Sequence, residues 1–233
     1  MSVASGETPQ LITDRAHVVW DWNGTLLDDL SIVVAAVNRS ISQLGEGPID
    51  GDIYRDHYTR PVRRFYDALM GRVVNDEEWL RLDTGFHDAY FTMAEEARLT
   101  EGAVEAFDHL DAHGVGQSLL SMSPQHWLDQ IVDRLGLTKR LQLVDGLSEP
   151  TGGLKAPRLA EHLEVLGIDG GDVFVIGDTP DDVAAARHVG ATPILFHGGS
   201  HHLELLQAEG VPVTETLVEA AEMVTSALAV SRR

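Results

Sequence analysis

Cysteine is absent from this chain of 233 residues. Disulfide bonds, iron–sulfur ligation and thiolate catalysis are therefore excluded from any account of its function. The absence fits a reducing compartment, and together with the acidic composition it favours a cytoplasmic location. Long apolar runs are also missing, because no window approaches the roughly 20 apolar residues that a membrane-spanning helix needs. The polar start, MSVASGETPQLITDR, lacks the basic segment and apolar block of a signal peptide.

Positive charge is scarce, since 17 Lys and Arg residues stand against 37 Asp and Glu residues and give a net charge of −20 with neutral histidines. A surface of this charge repels nucleic acids and anionic membranes, so neither is expected as a partner. It also repels anionic substrates, and a phosphate site would therefore need local positive charge. The ordinary consequence of such a charge is solubility. The composition indicates no oligomeric state.

Apolar residues are concentrated in five short runs, which are separated by segments with helical spacing. The first run, HVVWDW at 17–22, stops at an Asn-Gly pair, which is typical of a buried strand that ends in a turn. Strands that alternate with helices indicate a parallel sheet covered on both faces. We therefore predict an α/β fold with a Rossmann-like, doubly wound parallel core. Its other strands are 116–121, 141–146, 172–177 and 192–196, and its helices are 128–135, 158–166, 181–188 and 214–230.

One long stretch, residues 30–97, interrupts this alternation because it has helical patterns and no convincing strand. Long insertions at loops cost little stability and often carry function. The predicted helical segments are 31–44, 62–70, 77–82 and 86–95. We predict a tail at residues 1–15, an α/β core at 16–29 and 98–233, and an all-helical insert at 30–97.

Polar side chains follow the predicted strands, at the edge where a parallel sheet collects its ligand site. Carboxylates with hydroxyls and one lysine suit a hard divalent cation that bridges to a phosphate. The candidate residues are Asp21, Asn23 and Thr25 after the first strand, Ser121 and Ser123 after the second, Lys155 before a helix, and Asp178, Asp181 and Asp182 after the fourth.

These groups resemble the sequence motifs of the haloacid dehalogenase superfamily. The hexapeptide DWNGTL, which starts at Asp21, is similar to the phosphatase motif Asp-x-Asp-Gly-Thr-Leu. Ser121 after an apolar strand resembles the second motif, Lys155 resembles the third, and GDTPDD, which ends at Asp182, resembles the fourth. The four occur in the superfamily's order. The resemblance implies that the insert is a helical cap, as in phosphoglycolate-phosphatase-like members, and that it closes over the site.

The resemblance further implies an enzyme, a magnesium-dependent hydrolase of small phosphate monoesters. Asp21 would attack phosphorus and form an aspartyl-phosphate, with Asn23 and Lys155 as the other catalytic residues. Mg²⁺ would be held by Asp21, by the main-chain carbonyl of Asn23 and by Asp178. Asp182 would support the waters of the metal or orient Lys155.

Phosphoryl oxygens would be bound by Lys155 and Ser121, which supply a charge and a hydroxyl donor. Thr25 and the backbone around Met122 would complete the phosphate cradle. In the insert, Arg60 is the arginine best placed to contact the substrate, because a guanidinium suits a carboxylate or a second phosphate. The competing interpretation is that Arg60 forms salt bridges with neighbouring acids of the insert.

Asn23 departs from the superfamily motif, which has a second aspartate as general acid and base. A neutral amide cannot shuttle protons, and such catalysis is worth about 10²–10⁴-fold. One interpretation is that the enzyme is restricted to good leaving groups such as acyl phosphates. Another is that a different group, such as His126 or a residue of the insert, carries the proton. Alternatively, turnover is lost and the protein binds a phosphate or metabolite. Deamidation of Asn23 to aspartate and an engineered substitution are further alternatives.

Overall fold

The computed structural model describes residues 16–148 and 154–231, and the predicted tail at 1–15 lies outside them. The strands are β1 His17–Trp20, β2 Leu27–Asp28, β3 Arg98–Leu99, β4 Gly116–Pro124, β5 Val144–Leu147, β6 Val173–Gly177, β7 Thr192–Phe196 and β8 Val213–Thr214. Within the described ranges the main sheet has six strands in the order β5-β4-β1-β6-β7-β8, all parallel. Strand β1 therefore lies inside the sheet, beside β4 and β6.

Helices connect the strands and form the insert. They are α1 Leu30–Ser42, α2 Gly51–His57, α3 Val62–Met70, α4 Asp76–Ala94, α5 Ala103–Ala112, α6 Gln125–Arg134, α7 Lys155–Leu166, α8 Pro180–Val189, α9 Leu203–Ala208 and α10 Leu217–Ser231. No helix in the described part of the chain is long and apolar enough to cross a membrane.

Both faces of the sheet are buried, as the side chains of β1 illustrate. Val18 and Trp20 join a cluster with residues of α5, α6 and α10, whereas Val19 joins a separate cluster with residues of α7 and α8. Successive strand residues point to opposite faces, so these two clusters lie on the two sides of the sheet. The predicted α/β, Rossmann-like, doubly wound core is confirmed.

The insert contains helices α1 to α4, packed around a small apolar cluster of its own that includes Val37, Phe65 and Leu82. The short antiparallel pair of β2 and β3, with Leu27 opposite Leu99, joins the two chain connections between the core and the insert. The fold prediction of an all-helical insert on the core is therefore confirmed. Its exact boundaries at residues 30 and 97 stay a prediction.

One prediction within the insert is wrong, because the segments 77–82 and 86–95 are a single helix, α4. Gly85 lies between the two predicted segments, and glycine ordinarily weakens helices. In the structure Gly85 provides room instead, because a Cβ there would overlap the amide of Gln43. Helix α4 starts at a capping box in which the Asn75 side chain accepts from the amides of Glu77 and Glu78.

Several short elements escaped the sequence analysis: α2, α5, α9, β2, β3 and β8. Helix α5 has Ala103, Ala106, Phe107 and Leu110 at helical spacing and could have been predicted, whereas the apolar patterns of the others are too brief to establish a period. Helix α2 is an example, because Asp50 caps it by accepting from the amides of Asp52 and Ile53, and one residue of its seven, Tyr54, is buried. The strand predicted at 141–146 lies later, at Val144–Leu147.

Candidate active site

Three carboxylates come together at the carboxyl edge of the sheet. Asp21 follows β1, Asp178 follows β6, and Asp182 lies in the first turn of α8. One oxygen from each lies within 4.8 Å of the others. The parallel pairing of β1 with β6 produces this meeting, since Val19 is in register with Val175 and Trp20 with Ile176.

Lys155 neutralises two of these carboxylates. It is the first residue of α7, and its ammonium donates hydrogen bonds to Asp21 Oδ1 and Asp182 Oδ1. Only 5% of the Lys155 side chain is exposed, so its charge acts in a site that is largely shielded from water. Thr179 fixes Asp182 from the other side by donating from its amide at 3.0 Å and its hydroxyl at 2.7 Å.

Burial and mutual repulsion change the acidity of the three carboxyl groups. Burial raises the pKa of Asp21 to about 6, against the opposing effect of Lys155. Burial also raises the pKa of Asp178 well above its usual range, and the charges of Asp21 and Asp182 act in the same direction. Burial opposes ionisation of Asp182 too, but the Lys155 ammonium outweighs it and holds the pKa of Asp182 below its usual range.

Asp178 carries an unsatisfied oxygen that fits a cation. Its Oδ2 accepts from the amide of Ser200 at 2.8 Å, whereas its buried Oδ1 has no hydrogen-bond partner among the described residues. Buried carboxylate oxygens are normally paired, and a cluster of them suits a hard divalent ion. Gly24, with φ at +72°, and Gly199 line this carboxylate so closely that a Cβ on either would overlap it. The donor set therefore fits Mg²⁺.

Asn23 is held by three side chains rather than pointing freely into the site. Its Nδ2 donates to Asp29 Oδ2 at 2.7 Å and to the Tyr90 hydroxyl at 2.6 Å. Its Oδ1 accepts from the Ser123 hydroxyl at 3.0 Å. Asp29 is 1% exposed and also accepts from the Gly24 amide and the Tyr90 hydroxyl. The network ties the loop after β1 to helix α4 of the insert.

Sequence reasoning missed Asp29 and Tyr90. Asp29 directly precedes α1, a place where aspartate usually caps a helix, yet its side chain makes no cap hydrogen bond. It turns instead toward Asn23 and Gly24. Tyr90 is 61 positions further along the chain, and no local pattern links it to this loop. The only signal available in the sequence was the occurrence of Asp29 soon after the DWNGTL motif.

Three residues predicted to bind phosphate take different places. Met122 lines the central cavity, while Ser121 and Thr25 are not among its lining residues in the described chain. Ser121 is buried, and its hydroxyl accepts from the Ser123 amide at 3.0 Å. Thr25 is fully buried and donates to Asp21 Oδ2 at 3.3 Å. Ser121 and Thr25 are therefore buried below the cavity surface and do not line it.

Arg60 lines the cavity, with its Nε 3.9 Å from Asp181 Oδ2. This ion pair is with an acid of the core, not with the insert acids considered in the sequence analysis. Asp181 does not cap α8, because the capping box is formed by Thr179 and Asp182. His126 is exposed and does not line the cavity formed by the described residues, so nothing places it near Asn23.

The cavity, of about 470 Å³, extends from the carboxylates into the insert. At one end lie Asp21, Lys155 and Asp178, and at the other lie side chains of α1, α3 and α4. A cavity of this size accommodates a small organic ligand. The core supplies charged groups and the insert supplies most of the apolar wall.

The family model of the haloacid dehalogenase-like hydrolases matches residues 16–190. The chain belongs to the haloacid dehalogenase-like hydrolase family. The match includes Asp21, Lys155 and Asp178. The resemblance to the haloacid dehalogenase superfamily is confirmed, and so is the expectation of an enzyme of the phosphatase-like hydrolase class.

Curated relatives of this hydrolase are named phosphoglycolate phosphatases. Phosphoglycolate phosphatase 1 of Pseudomonas aeruginosa is 26% identical over 194 residues, covering 79% of this chain and 70% of the relative. Phosphoglycolate phosphatase of Vibrio parahaemolyticus is 23% identical over 226 residues, covering 91% of this chain and 96% of the relative.

Solved structures share the fold. A predicted phosphatase from Clostridium acetobutylicum superposes with a TM-score of 0.79 at 20% identity, covering 91% of this chain and 99% of that one. A haloacid dehalogenase-like family hydrolase from Streptococcus pneumoniae gives a TM-score of 0.77 at 17% identity, covering 90% and 98%. At these identities the likeness concerns the fold alone.

Proposed function

We propose that this hydrolase cleaves small phosphate monoesters with Mg²⁺, using Asp21 as the nucleophile. The observation that carries the proposal is the grouping of three carboxylates with one buried lysine, in which one oxygen of Asp178 has no partner among the residues that the structure describes. The names of the curated relatives support a phosphate monoester as the substrate class. A small phosphorylated metabolite is the proposed ligand, and the cytoplasm remains the predicted place of action.

Asp21 is suited to nucleophilic attack in its ionised form. With a pKa of about 6 it is mostly a carboxylate at neutral pH. One of its oxygens bonds to phosphorus while the bond between phosphorus and the leaving oxygen breaks, and the electron pair stays on that oxygen. Water then displaces the Asp21 carboxylate from phosphorus, which releases phosphate and restores the nucleophile.

Lys155 and the metal site serve the negative charge of the phosphoryl group. Lys155 is held between Asp21 and Asp182, so its ammonium lies beside the phosphorus-bound oxygens during transfer. Asp21, Asp178 and the main-chain carbonyl of Asn23 would hold Mg²⁺. When bound, the ion neutralises charge so that a carboxylate can approach a phosphate dianion.

The leaving oxygen receives no proton from position 23. The Asn23 amide uses its donors on Asp29 and Tyr90, and it has no acidic proton. The leaving group must therefore depart as an anion or take its proton from water. Esters of acidic alcohols and acyl phosphates are favoured for this reason, since their oxyanions are stable.

A turnover assay with matched aspartate variants tests the proposal. Phosphate release from para-nitrophenyl phosphate is measured with Mg²⁺ and with a chelator, for the native chain, Asp21→Ala and Asp178→Asn. Asp169→Ala is the control, because Asp169 is exposed and does not line the cavity. We expect Mg²⁺-dependent release that falls at least about 10³-fold in Asp21→Ala and is unchanged in the control.

Two results would count against this function. Undiminished release by Asp21→Ala would show that another group is the nucleophile. Absence of release from any ester, with Mg²⁺-dependent binding of inorganic phosphate retained, would establish the alternative that Asn23 favours. That alternative is a phosphate- or metabolite-binding protein on the hydrolase fold.

A further inference from the structure

The insert end of the cavity forms an apolar chamber, defined by Leu30, Val33, Trp79, Phe86 and Phe91. All five line the cavity and remain partly exposed, so each presents surface to its interior. They come from two helices, α1 and α4, that pack against each other. Apolar surface that faces a water-filled cavity is stabilised when an apolar group of a ligand displaces the water.

The cationic side chains in the cavity lining either lie at the end formed by the carboxylates or are already paired. Lys155 binds Asp21 and Asp182, and Arg60 lies 3.9 Å from an oxygen of Asp181. Arg63 donates to Asp76 and to a main-chain carbonyl, both at 2.7 Å. The described residues thus offer no unpaired cation on the chamber wall.

Acidic charge, by contrast, is present in this part of the cavity. Asp83 lies in the lining, with its Oδ1 3.6 Å from Nδ1 of His87, another lining residue. The histidine also hydrogen-bonds the main-chain oxygen of Asp83 at 2.9 Å. A substrate carboxylate in the chamber would meet the Asp83 carboxylate and apolar rings, whereas the arginines in the described lining, Arg60 and Arg63, already pair with Asp181 and Asp76.

We infer that the chamber binds an uncharged aromatic group, so that the substrate is the phosphate monoester of a phenol. The inference rests on the proposed function and names its leaving group. The cavity of about 470 Å³ suits a phosphoryl group together with a ring, whereas a two-carbon acid would leave most of it to water. Phenols are also more acidic than alcohols, so a phenolate leaves readily without a proton, which agrees independently with the absence of a proton donor at Asn23.

Binding of phosphonates tests this inference without turnover. Benzylphosphonate, phosphonoacetate and inorganic phosphate are titrated calorimetrically into the native chain with Mg²⁺. We expect benzylphosphonate to bind at least about tenfold more tightly than phosphonoacetate, since burial of a ring gains more than this factor. Similar affinities, or tighter binding of phosphonoacetate, would overturn the inference while leaving the proposed function intact.

Variants of the chamber locate the preference. Phe86→Ala should remove most of the benzylphosphonate advantage and leave inorganic phosphate binding unchanged. Leu80→Ala is the control, because Leu80 is on the same helix, is 65% exposed and does not line the cavity. Val33→Arg supplies the missing cation and should shift the preference toward phosphonoacetate, which guards against a Phe86 variant that does not fold.

The outcomes separate the two claims. Loss of the benzylphosphonate preference in Phe86→Ala or its reversal in Val33→Arg supports the chamber as the binding site. An unchanged preference in both variants overturns it. Failure of all three ligands, inorganic phosphate included, to bind with Mg²⁺ would overturn the proposed function and this inference together.

Discussion

Asn23 and Asp29 interact directly through their side chains. An amide and a buried carboxylate share a hydrogen bond of 2.7 Å, and Tyr90 donates a second one to the same oxygen of Asp29. Burial raises the pKa of Asp29, although hydrogen bonds from Tyr90, Asn23 and Gly24 oppose the shift. The donors of Asn23 are therefore needed to keep a carboxylate at this position.

Asn23→Asp should consequently destabilise the protein, although it restores the motif of the family. The new carboxylate would face Asp29 and remove its donor, so one of the two must keep a proton. We expect a loss of about 1–3 kcal/mol in the free energy of unfolding, which grows as pH rises because retaining that proton becomes costlier. Urea unfolding at pH 6 and pH 8 measures it.

The double variant Asn23→Asp with Asp29→Asn provides the matched control. It reverses the direction of the hydrogen bond and leaves one carboxylate, so most of the lost stability should return. Equal stability of the native chain and the Asn23→Asp variant at both pH values would contradict the role assigned to this pair.

Helix α4 connects the insert to the active site, since it carries Tyr90 of the network and Phe86 of the chamber. Gly85 lies inside this helix, at the point where the Gln43 side chain approaches the helix backbone. Whether a glycine ends a helix or admits a neighbour depends on what packs there, and a local pattern does not contain that information.

Gly85→Ala tests this explanation of α4. Alanine ordinarily stabilises a helix by about 1 kcal/mol relative to glycine. Here its methyl group would displace the Gln43 amide, so the single variant should change unfolding stability by less than about 0.5 kcal/mol. Together with Gln43→Ala the gain of about 1 kcal/mol should appear. A full gain in the single variant would show that Gln43 does not occupy this space.

The core as a whole buries a histidine pair that links stability to pH. His17 and His162 both hydrogen-bond the hydroxyl of Ser118 at 2.8 Å. Burial lowers the pKa of His17 to about 4, and the neighbouring His162 acts in the same direction. At His17 the unfolded chain therefore binds more protons than the folded chain between pH 6.5 and pH 4.

The contribution of His17 to the free energy of unfolding should accordingly be complete above pH 6.5 and be lost as pH decreases toward 4. His17 alone accounts for a loss of about 3 kcal/mol across this interval. Urea unfolding at pH 4.5 and 6.5 measures it, and His17→Gln should reduce the difference. His126→Gln is the control because His126 is exposed. The same pH dependence in the native chain and His17→Gln would contradict the assignment.

At the scale of the molecule, the sequence predicted what depends on local pattern and sheet topology. Apolar runs located the main strands, and because parallel strands end at one edge, Asp21, Asp178 and Lys155 were expected to converge. What it could not predict depends on packing between distant segments. The contact of Tyr90 with Asn23 depends on how α4 packs against the core, and the burial of Ser121 depends on how β4 packs within it.

The account's central claim is that Asp21 performs phosphoryl transfer without a proton donor at Asn23. The most direct measurement compares kcat/KM for an aryl and an alkyl phosphate with Mg²⁺, in the native chain and in Asn23→Asp with Asp29→Asn, with Asp21→Ala as the blank. We predict that the native chain strongly favours the aryl ester and that the double variant gains chiefly on the alkyl ester. Equal values for the two esters in the native chain would contradict the claim.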